Sequence, residues 1–120
     1  MAEPLAFLEQ HGMTYVTVDA PPDVIPLVVG RTSGTAYVRF HGRNAGTWNS
    51  RGGSAAQRFD HLYDEAELRE WVPPLRRLSE QAAEAYAFFN NNNQTHGVAQ
   101  APAGALLLRK LLEDKNIPTA

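Results

Sequence analysis

Polar side chains of the types that carry out acid–base and anion chemistry lie at the ends of three short apolar stretches. Asp19 ends the first stretch, and Asn90 follows the third. Arg39 and His41 end the second stretch. A histidine changes its charge near neutral pH, and the fork of an arginine fits the oxygens of a carboxylate or a phosphate. These residue types therefore predict a site for a small anionic or phosphorylated ligand.

Each candidate residue has a role that suits its chemistry. The catalytic candidates are His41, Arg39 and Asp19. We expect His41 to act as the general acid or base, and Asp19 to orient it or to bind a metal. Arg39 and Arg43 are expected to hold the anion by bidentate hydrogen bonds. The other candidates would bind, orient or cover the ligand, and the full ligand-binding set is Arg43, Asn44, Trp48, Asn90 and Asn91.

Structural roles are an open alternative for the same residues. Arg39 could pair with Asp19 or with another carboxylate, and His41 could bond to loop backbone. Asp19, which precedes Pro21, could cap a loop, and the run of asparagines that starts at Asn90 could form a turn.

A metal-dependent phosphoester hydrolase is a second enzymatic hypothesis. His41, His96 and Asp19 could supply nitrogen and oxygen ligands, but the sequence has no closely spaced ligand motif such as HExxH. We therefore assign no metal ligand, and the cofactor stays unknown. The sequence also lacks the GxSxG, Walker and GxGxxG motifs of other enzyme classes.

Three runs rich in β-branched and aromatic residues predict the strands that position these side chains. The runs cover residues 14–18, 36–40 and 85–89. In the second run Val38 and Phe40 share one face, while Arg39 and His41 share the other. The valines of the first run likewise oppose Asp19, so we expect those valines to face the helices.

Helical segments are predicted between and after the strands. They cover residues 4–10, a stretch that begins at Asp64, and residues 103–113. Glu67 lies three residues after Asp64 and completes a capping box. Pro73 and Pro74 should kink this second helix or divide it in two. Strands that alternate with helices favour an α/β fold with a mainly parallel sheet, and ligands bind such sheets outside the carboxyl ends of the strands.

The long connection over residues 42–63 is rich in Gly and Arg. Long loops in compact domains are usually functional or disordered. Because Trp48 lies within this connection, we expect the loop to act as a lid that excludes water from the site.

The composition is typical of a soluble globular domain. Of 120 residues, 43% are hydrophobic and 20% are charged, with a formal net charge of -2, which excludes a disordered chain and does not support nucleic-acid binding. The absence of cysteine excludes disulfides, thiolate metal sites and thiol nucleophiles. Because no long apolar run or leader occurs, we expect one cytoplasmic domain over residues 1–120, with no membrane partner.

Several motifs occur in a characteristic order. They are YVRFHGRN over 37–44, Trp48, RFDHLY over 58–63, ELREWV over 67–72 and FFNN over 88–91. Together they resemble the domain of unknown function 72 family, also called YecE-like, and the resemblance covers most of residues 5–113. It implies a TIM-type β/α barrel. The family's strand-end residues fall on Asp19, Arg39, His41, Arg43, Asn44, Asn90 and Asn91.

The family has no agreed biochemical activity, and its barrel is longer than this chain. A β/α barrel usually needs about 250 residues, so the resemblance is to the C-terminal part. The expected fold class is therefore a partial TIM barrel with the C-terminal strands and helices only. Open sheet edges invite pairing with other chains. The expectation ranked first is a truncated, non-catalytic fragment of the barrel, and the alternatives are self-association or completion by a separate N-terminal half.

Overall fold

The computed structural model describes residues 2–48 and 53–120. Its helices are α1 (Glu3–Gln10), α2 (Ala45–Trp48), α3 (Ala55–Arg58), α4 (Glu65–Arg69), α5 (Val72–Gln81) and α6 (Gln100–Asp114). Its strands are β1 (Val16–Asp19), β2 (Thr35–Phe40), β3 (Glu84–Phe89), β4 (Gln94–Thr95) and β5 (Val98–Ala99). The three predicted strands and the predicted helices are all found, with small differences at their ends.

The main sheet is parallel, with the strand order β1-β2-β3. This arrangement confirms the predicted α/β class and is consistent with a partial β/α barrel. The connection from β2 to β3 contains α2 to α5. In contrast, residues 20–34, which connect β1 to β2 and are all described, contain no helix. None of the described helices is long and apolar enough to cross a membrane.

Helices α4 to α6 cover one face of the sheet. Ala36, Val38 and Phe40 of β2 are buried in this core. Phe40 lies at its centre, stacked on Phe89 with the ring centroids 4.4 Å apart. Helix α6 approaches β3 so closely that a Cβ atom added to Gly104 would lie 2.7 Å from the ring of Phe89. A residue larger than glycine at position 104 would therefore have to displace the ring of Phe89.

The prediction for the faces of β1 is wrong. In the register Thr17 lies beside Val38 and Asp19 beside Phe40, so the polar residues of β1 share the helix-covered face. Both Thr17 and Asp19 are buried. A buried polar side chain is tolerated when it is hydrogen-bonded, and Thr17 Oγ1 lies 3.3 Å from the backbone nitrogen of Gly30, which donates to it.

Local signals at the helix ends explain the division between α4 and α5. The side chain of Asp64 accepts a hydrogen bond from the backbone of Glu67, and the side chain of Glu67 bonds back to the backbone of Asp64. Pro73 and Pro74 lie in the first turn of α5, where a missing N–H costs no helical hydrogen bond. The two prolines therefore start a new helix. Of the two predicted outcomes, a kink or a division, the structure has the division.

Candidate functional site

The predicted site residues lie in two groups on opposite faces of the sheet. Arg39 and Asn90 lie on the face that the helices leave uncovered. The Nε atom of Arg39 donates a hydrogen bond of 2.9 Å to Oδ1 of Asn90 on the neighbouring strand. Within the described residues, Arg39 forms no ion pair with an aspartate or a glutamate. Arg39 as a residue is half-buried.

His41 continues β2 beyond Arg39 and is enclosed by aromatic rings. Its ring centroid lies 4.7 Å from that of Phe59 and 5.8 Å from that of Trp48. Its Nδ1 atom is buried and has no hydrogen-bond partner in the described part of the chain. Burial and the nearby positive charge of Arg39 both lower the pKa of His41. The neutral imidazole is therefore favoured, and this is the form that can accept a proton.

His41 should titrate below its ordinary pKa of 6.5. Because the folded state then binds fewer protons than the unfolded chain, this group costs stability as the pH falls below 6.5. Replacing Arg39→Gln removes one of the two causes and should raise the midpoint. Proton–nitrogen NMR of the imidazole measures the midpoint, and Arg109→Gln, at an exposed position of α6, serves as the control. An unchanged midpoint in Arg39→Gln would contradict the assigned cause.

On the helix-covered face, Asp19 is the centre of a hydrogen-bond cluster. Its carboxylate accepts bonds from Nη2 of Arg43 at 2.9 Å, from the hydroxyl of Tyr63 at 2.6 Å and from Nε1 of Trp71 at 3.1 Å. The Tyr63 hydroxyl also accepts a bond of 2.8 Å from the backbone of Gly42. Burial, followed by the negative charge of Asp19, raises the pKa of Tyr63 well above its usual range. The cluster thus anchors the backbone that follows His41.

Arg43 bridges carboxylates in this cluster. Arg43 bonds to Asp19 as described above. In addition, its Nη1 atom lies 2.8 Å from Oε2 of Glu70 and 4.0 Å from Oε2 of Glu67. Burial works to lower the pKa of Arg43, but its hydrogen bonds and charge interactions with Asp19 and Glu70 raise it above its usual value. The guanidinium of Arg43 is therefore engaged within the protein.

These contacts differ from two interpretations of Asp19 that the sequence left open. Arg39 does not pair with Asp19, because the two side chains lie on opposite faces of the sheet. The carboxylate of Asp19 accepts bonds from Arg43, Tyr63 and Trp71, whereas His41 is joined to Asp19 through the backbone: the N–H of His41 donates a bond of 3.0 Å to the main-chain carbonyl of Asp19. Asp19 therefore joins β1 to the segments of Arg43, Tyr63 and Trp71.

Two of the predicted asparagines position loops. The side-chain amide of Asn44 donates a bond of 2.9 Å to the carbonyl of Asp60, and the backbone carbonyl of Asn44 accepts a bond from the backbone N–H of Trp48. Asn91 is fully buried, and its amide donates a bond of 2.7 Å to the carbonyl of His61. Both residues therefore hold the chain that passes behind the site, whereas Asn90 lies on the open face.

The structure does not bring together the three residues, His41, His96 and Asp19, that the sequence analysis considered as possible metal ligands. Asp19 belongs to the buried cluster, and His96 lies in the exposed turn between β4 and β5 with a φ of 49°. In residues 2–48 and 53–120, no group of three His, Asp or Glu side chains is placed to hold a metal ion. The geometry thus gives the phosphoester hydrolase hypothesis no ligand set.

The predicted lid is only partly described. Residues 49–52, which include Asn49, Arg51 and Gly52, lie outside the described residues. On either side of them the connection forms α2 and α3, which the sequence did not predict. The Oγ1 atom of Thr47 donates a bond of 3.0 Å to the carbonyl of Arg58, joining the two helices. Trp48 reaches Phe59, with the ring centroids 4.8 Å apart.

Two structurally important residues, Tyr63 and Gln100, were not candidates. Gln100 is buried, and its amide donates bonds of 2.7 Å to Asp60 and 2.9 Å to Thr95, while its Oε1 accepts from the backbone of His61 at 3.1 Å. The signal that could have identified Tyr63 is the need of a buried tyrosine for a hydrogen-bond partner. No local pattern marks Gln100, because its partners lie in distant segments.

The sequence matches one protein-family model, described as "Protein of unknown function DUF72", over residues 1–119. It is also similar to the UPF0759 protein YunF of Bacillus subtilis. The two are 30% identical over 96 residues, which cover 74% of this chain and 34% of YunF. The chain therefore spans about one third of the length of this relative.

Solved structures of DUF72 family proteins have the same fold in the matched region. One from Thermotoga maritima is 37% identical, with a TM-score of 0.77, and the match covers 94% of this chain and 42% of that one. One from Enterococcus faecalis is 28% identical, with a TM-score of 0.75, and the match covers 92% of this chain and 41% of that one. This chain thus corresponds to about two fifths of each solved relative.

Proposed function

This chain belongs to DUF72, a family of unknown function, and we propose that the open carboxyl end of its sheet binds a small anionic or phosphorylated ligand. In this proposal Arg39 holds the anion, Asn90 fixes the arginine, and His41 transfers a proton. Binding of the anion depends on the position and the charge of Arg39. Proton transfer depends in addition on the neutral state of the His41 imidazole.

The observation that carries the proposal is the difference between the two arginines. Arg43 bridges Asp19 and Glu70, whereas Arg39 is half-buried, is held at Nε by Asn90 and forms no ion pair within the described residues. A partly desolvated charge needs a counterion, and the Nη groups of Arg39, which bond to no described residue, can fit two oxygens of a phosphate or carboxylate. The bond to Asn90 orients the guanidinium before the ligand arrives.

His41 is close enough to Arg39 for its pKa to be affected by that charge. A ligand anchored on Arg39 would therefore lie next to a neutral imidazole, and the imidazole could accept or return a proton. Trp48 and Phe59 form the apolar wall behind this histidine. Exclusion of water by this wall would strengthen the electrostatic interaction between Arg39 and the ligand.

The supporting residues act behind the sheet. Asp19 accepts the bond from Tyr63 that in turn holds the backbone of Gly42. Arg43 extends this support to Glu70 at the C-terminal end of α4, and Asn91 extends it to the loop at His61. We therefore assign Asp19, Arg43 and Asn91 as positioning residues of the site, and not as ligands of the anion.

Titration with inorganic phosphate tests the proposal. We expect the backbone amides of residues 39–41 and of Asn90 to shift in proton–nitrogen NMR spectra. Replacing Arg39→Gln should weaken phosphate binding about 10- to 100-fold, because it removes a charged hydrogen-bond donor pair. Replacing Asn90→Ala should have a smaller effect, since the charge remains but is no longer oriented.

Arg109→Gln is the matched control, because Arg109 is an exposed arginine paired with Glu113 on α6. Phosphate binding should be unchanged in this variant. The proposal fails if Arg39→Gln binds phosphate as tightly as the original protein, or if the shifted amides map to another surface.

A further inference from the structure

Strand β3 is unusually exposed for a parallel strand. Parallel sheets normally have both faces covered, and in β2 every second residue is buried. In β3, however, Tyr86 and Phe88 of the open face are 43% and 45% exposed. Ala85 and Ala87, on the opposite face, are exposed as well. The side chains of β3 are therefore of the types found in protein interiors, but they are exposed to solvent.

The outer edge of β3 has free backbone groups. The backbone of Asn90 donates to the carbonyl of Phe40, so the even-numbered residues of this strand point towards β2. In a parallel ladder the alternate residues point the other way. Ala85 and Ala87 therefore direct their N–H and C=O groups outward, and β3 pairs with β2 alone in the part of the sheet that the structure describes.

An apolar groove runs along the same edge on the helix-covered side. It has a volume of about 330 Å³. The residues that form most of its apolar wall come from α5, β3, α6 and the segment after α6; they are Leu75, Ala85, Ala87, Leu108, Leu112 and Ile117. Because Ala85 and Ala87 belong both to the groove and to the free edge, the two features form one continuous surface.

The flank at β1 differs, because the chain covers part of it with its own residues. The backbone of Tyr15 donates a bond of 2.8 Å to Oγ1 of Thr32, and the hydroxyl of Tyr15 donates one of 2.9 Å to the carbonyl of Val28. The backbone of Gly30 bonds to Thr17. Residues 28–32 thus lie along β1, whereas no comparable segment lies along β3 among the described residues.

We propose that the free edge of β3 and its groove bind a β/α polypeptide that corresponds to the part of the family fold outside this chain. A strand of that polypeptide would pair in parallel with Ala85 and Ala87, and apolar side chains of the following helix would fill the groove. The solved relatives support this occupant, because the match covers 42% and 41% of their chains. The proposal is independent of anion binding at Arg39.

A second copy of the chain fits this surface less well. In a two-fold dimer the same surface is used on both sides, so each groove would face the alanines of the other copy. Ala85 and Ala87 have too little volume to fill a groove of about 330 Å³. The partner must therefore place larger apolar side chains in the groove than Ala85 and Ala87.

Coexpression tests this inference. The tagged chain is produced together with an untagged segment of the Thermotoga maritima relative, taken from outside the region that this chain matches. We expect the segment to copurify, with a mass by light scattering that corresponds to one copy of each. Ala87→Pro should weaken the complex at least about tenfold, because it removes an outward N–H without removing a bond to β2. Ala85→Arg, which fills the groove, should do the same.

Ala66→Arg is the matched control, since Ala66 is exposed on α4 and should leave the complex intact. Circular dichroism of each variant verifies that it is folded. Failure of the segment to copurify would overturn the proposal, as would a complex that Ala87→Pro and Ala85→Arg leave unchanged. If the chain alone forms dimers that Ala87→Pro converts to monomers, the occupant is a second copy and the proposal is also wrong.

Discussion

Replacing Asp19→Asn should lower the free energy of unfolding by about 3 kcal/mol at pH 7, near the lower end of the range for breaking a buried ion pair. The carboxylate is only 3% exposed, and the change leaves Arg43 without its main counterion. We expect the lower end because Arg43 is itself 21% exposed and keeps Glu70 as a partner. Urea denaturation, followed by circular dichroism, measures the difference.

An exposed ion pair provides the control for this variant. Glu65 and Arg69 form a bond of 2.6 Å on α4, but both side chains are more than half exposed. Replacing Glu65→Gln should therefore cost at most about 0.5 kcal/mol. Equal losses in the two variants would mean that Asp19 is no more than a surface charge, contrary to its place in the cluster.

Replacing Phe40→Ala should destabilise the protein by about 3–5 kcal/mol, the usual cost of removing a buried aromatic side chain. Phe40 is fully buried. Its ring centroid lies 5.2 Å from that of Trp71 and 5.5 Å from that of Tyr63, both in edge-on contact. The cavity left behind would border the Asp19 cluster. Chemical denaturation with urea again measures the loss.

Tyr86→Ala is the matched control, because it removes an aromatic ring from the open face of the same sheet. This ring is 43% exposed, so its removal should cost less than about 1 kcal/mol. A loss as large as that of Phe40→Ala would show that the open face is buried in solution. That outcome would contradict the difference between the two faces on which the site assignment rests.

The strands and the division of the central helix could be predicted because their signals are local. Alternation of side chains in β2 predicted that Val38 and Phe40 share one face and that Arg39 lies on the other, and the structure has these three residues on the expected faces. The capping box at Asp64 likewise depends on residues three positions apart. In each case the interacting groups are separated by only a few residues.

The position of Asp19 could not be predicted in the same way. Alternation within β1 separates its valines from its polar residues, but it does not identify which set faces the helices. That choice depends on the register with β2 and on Tyr63 and Trp71, which lie 44 and 52 residues away. A polar side chain such as that of Asp19 can be buried in the core only when residues distant in the sequence provide its hydrogen-bond partners.

Short elements were missed for a related reason. Helices α2 and α3 each have four residues, about one turn, which is too short for a periodic pattern. The hairpin of β4 and β5 has two residues in each strand, and its turn consists of His96 and Gly97 with positive φ angles. A histidine followed by a glycine is a weak turn signal compared with the asparagines that precede it.

The two tryptophans of the chain lie in different surroundings, and this difference makes them natural optical probes. Trp71 is buried, with its indole N–H bonded to Asp19, so its fluorescence reports on the integrity of the core. Trp48 lies edge-on to the imidazole of His41, so its emission depends on the charge of that ring and on what occupies the space beside it. Light emitted by a single unlabelled protein can therefore distinguish unfolding from events at the site.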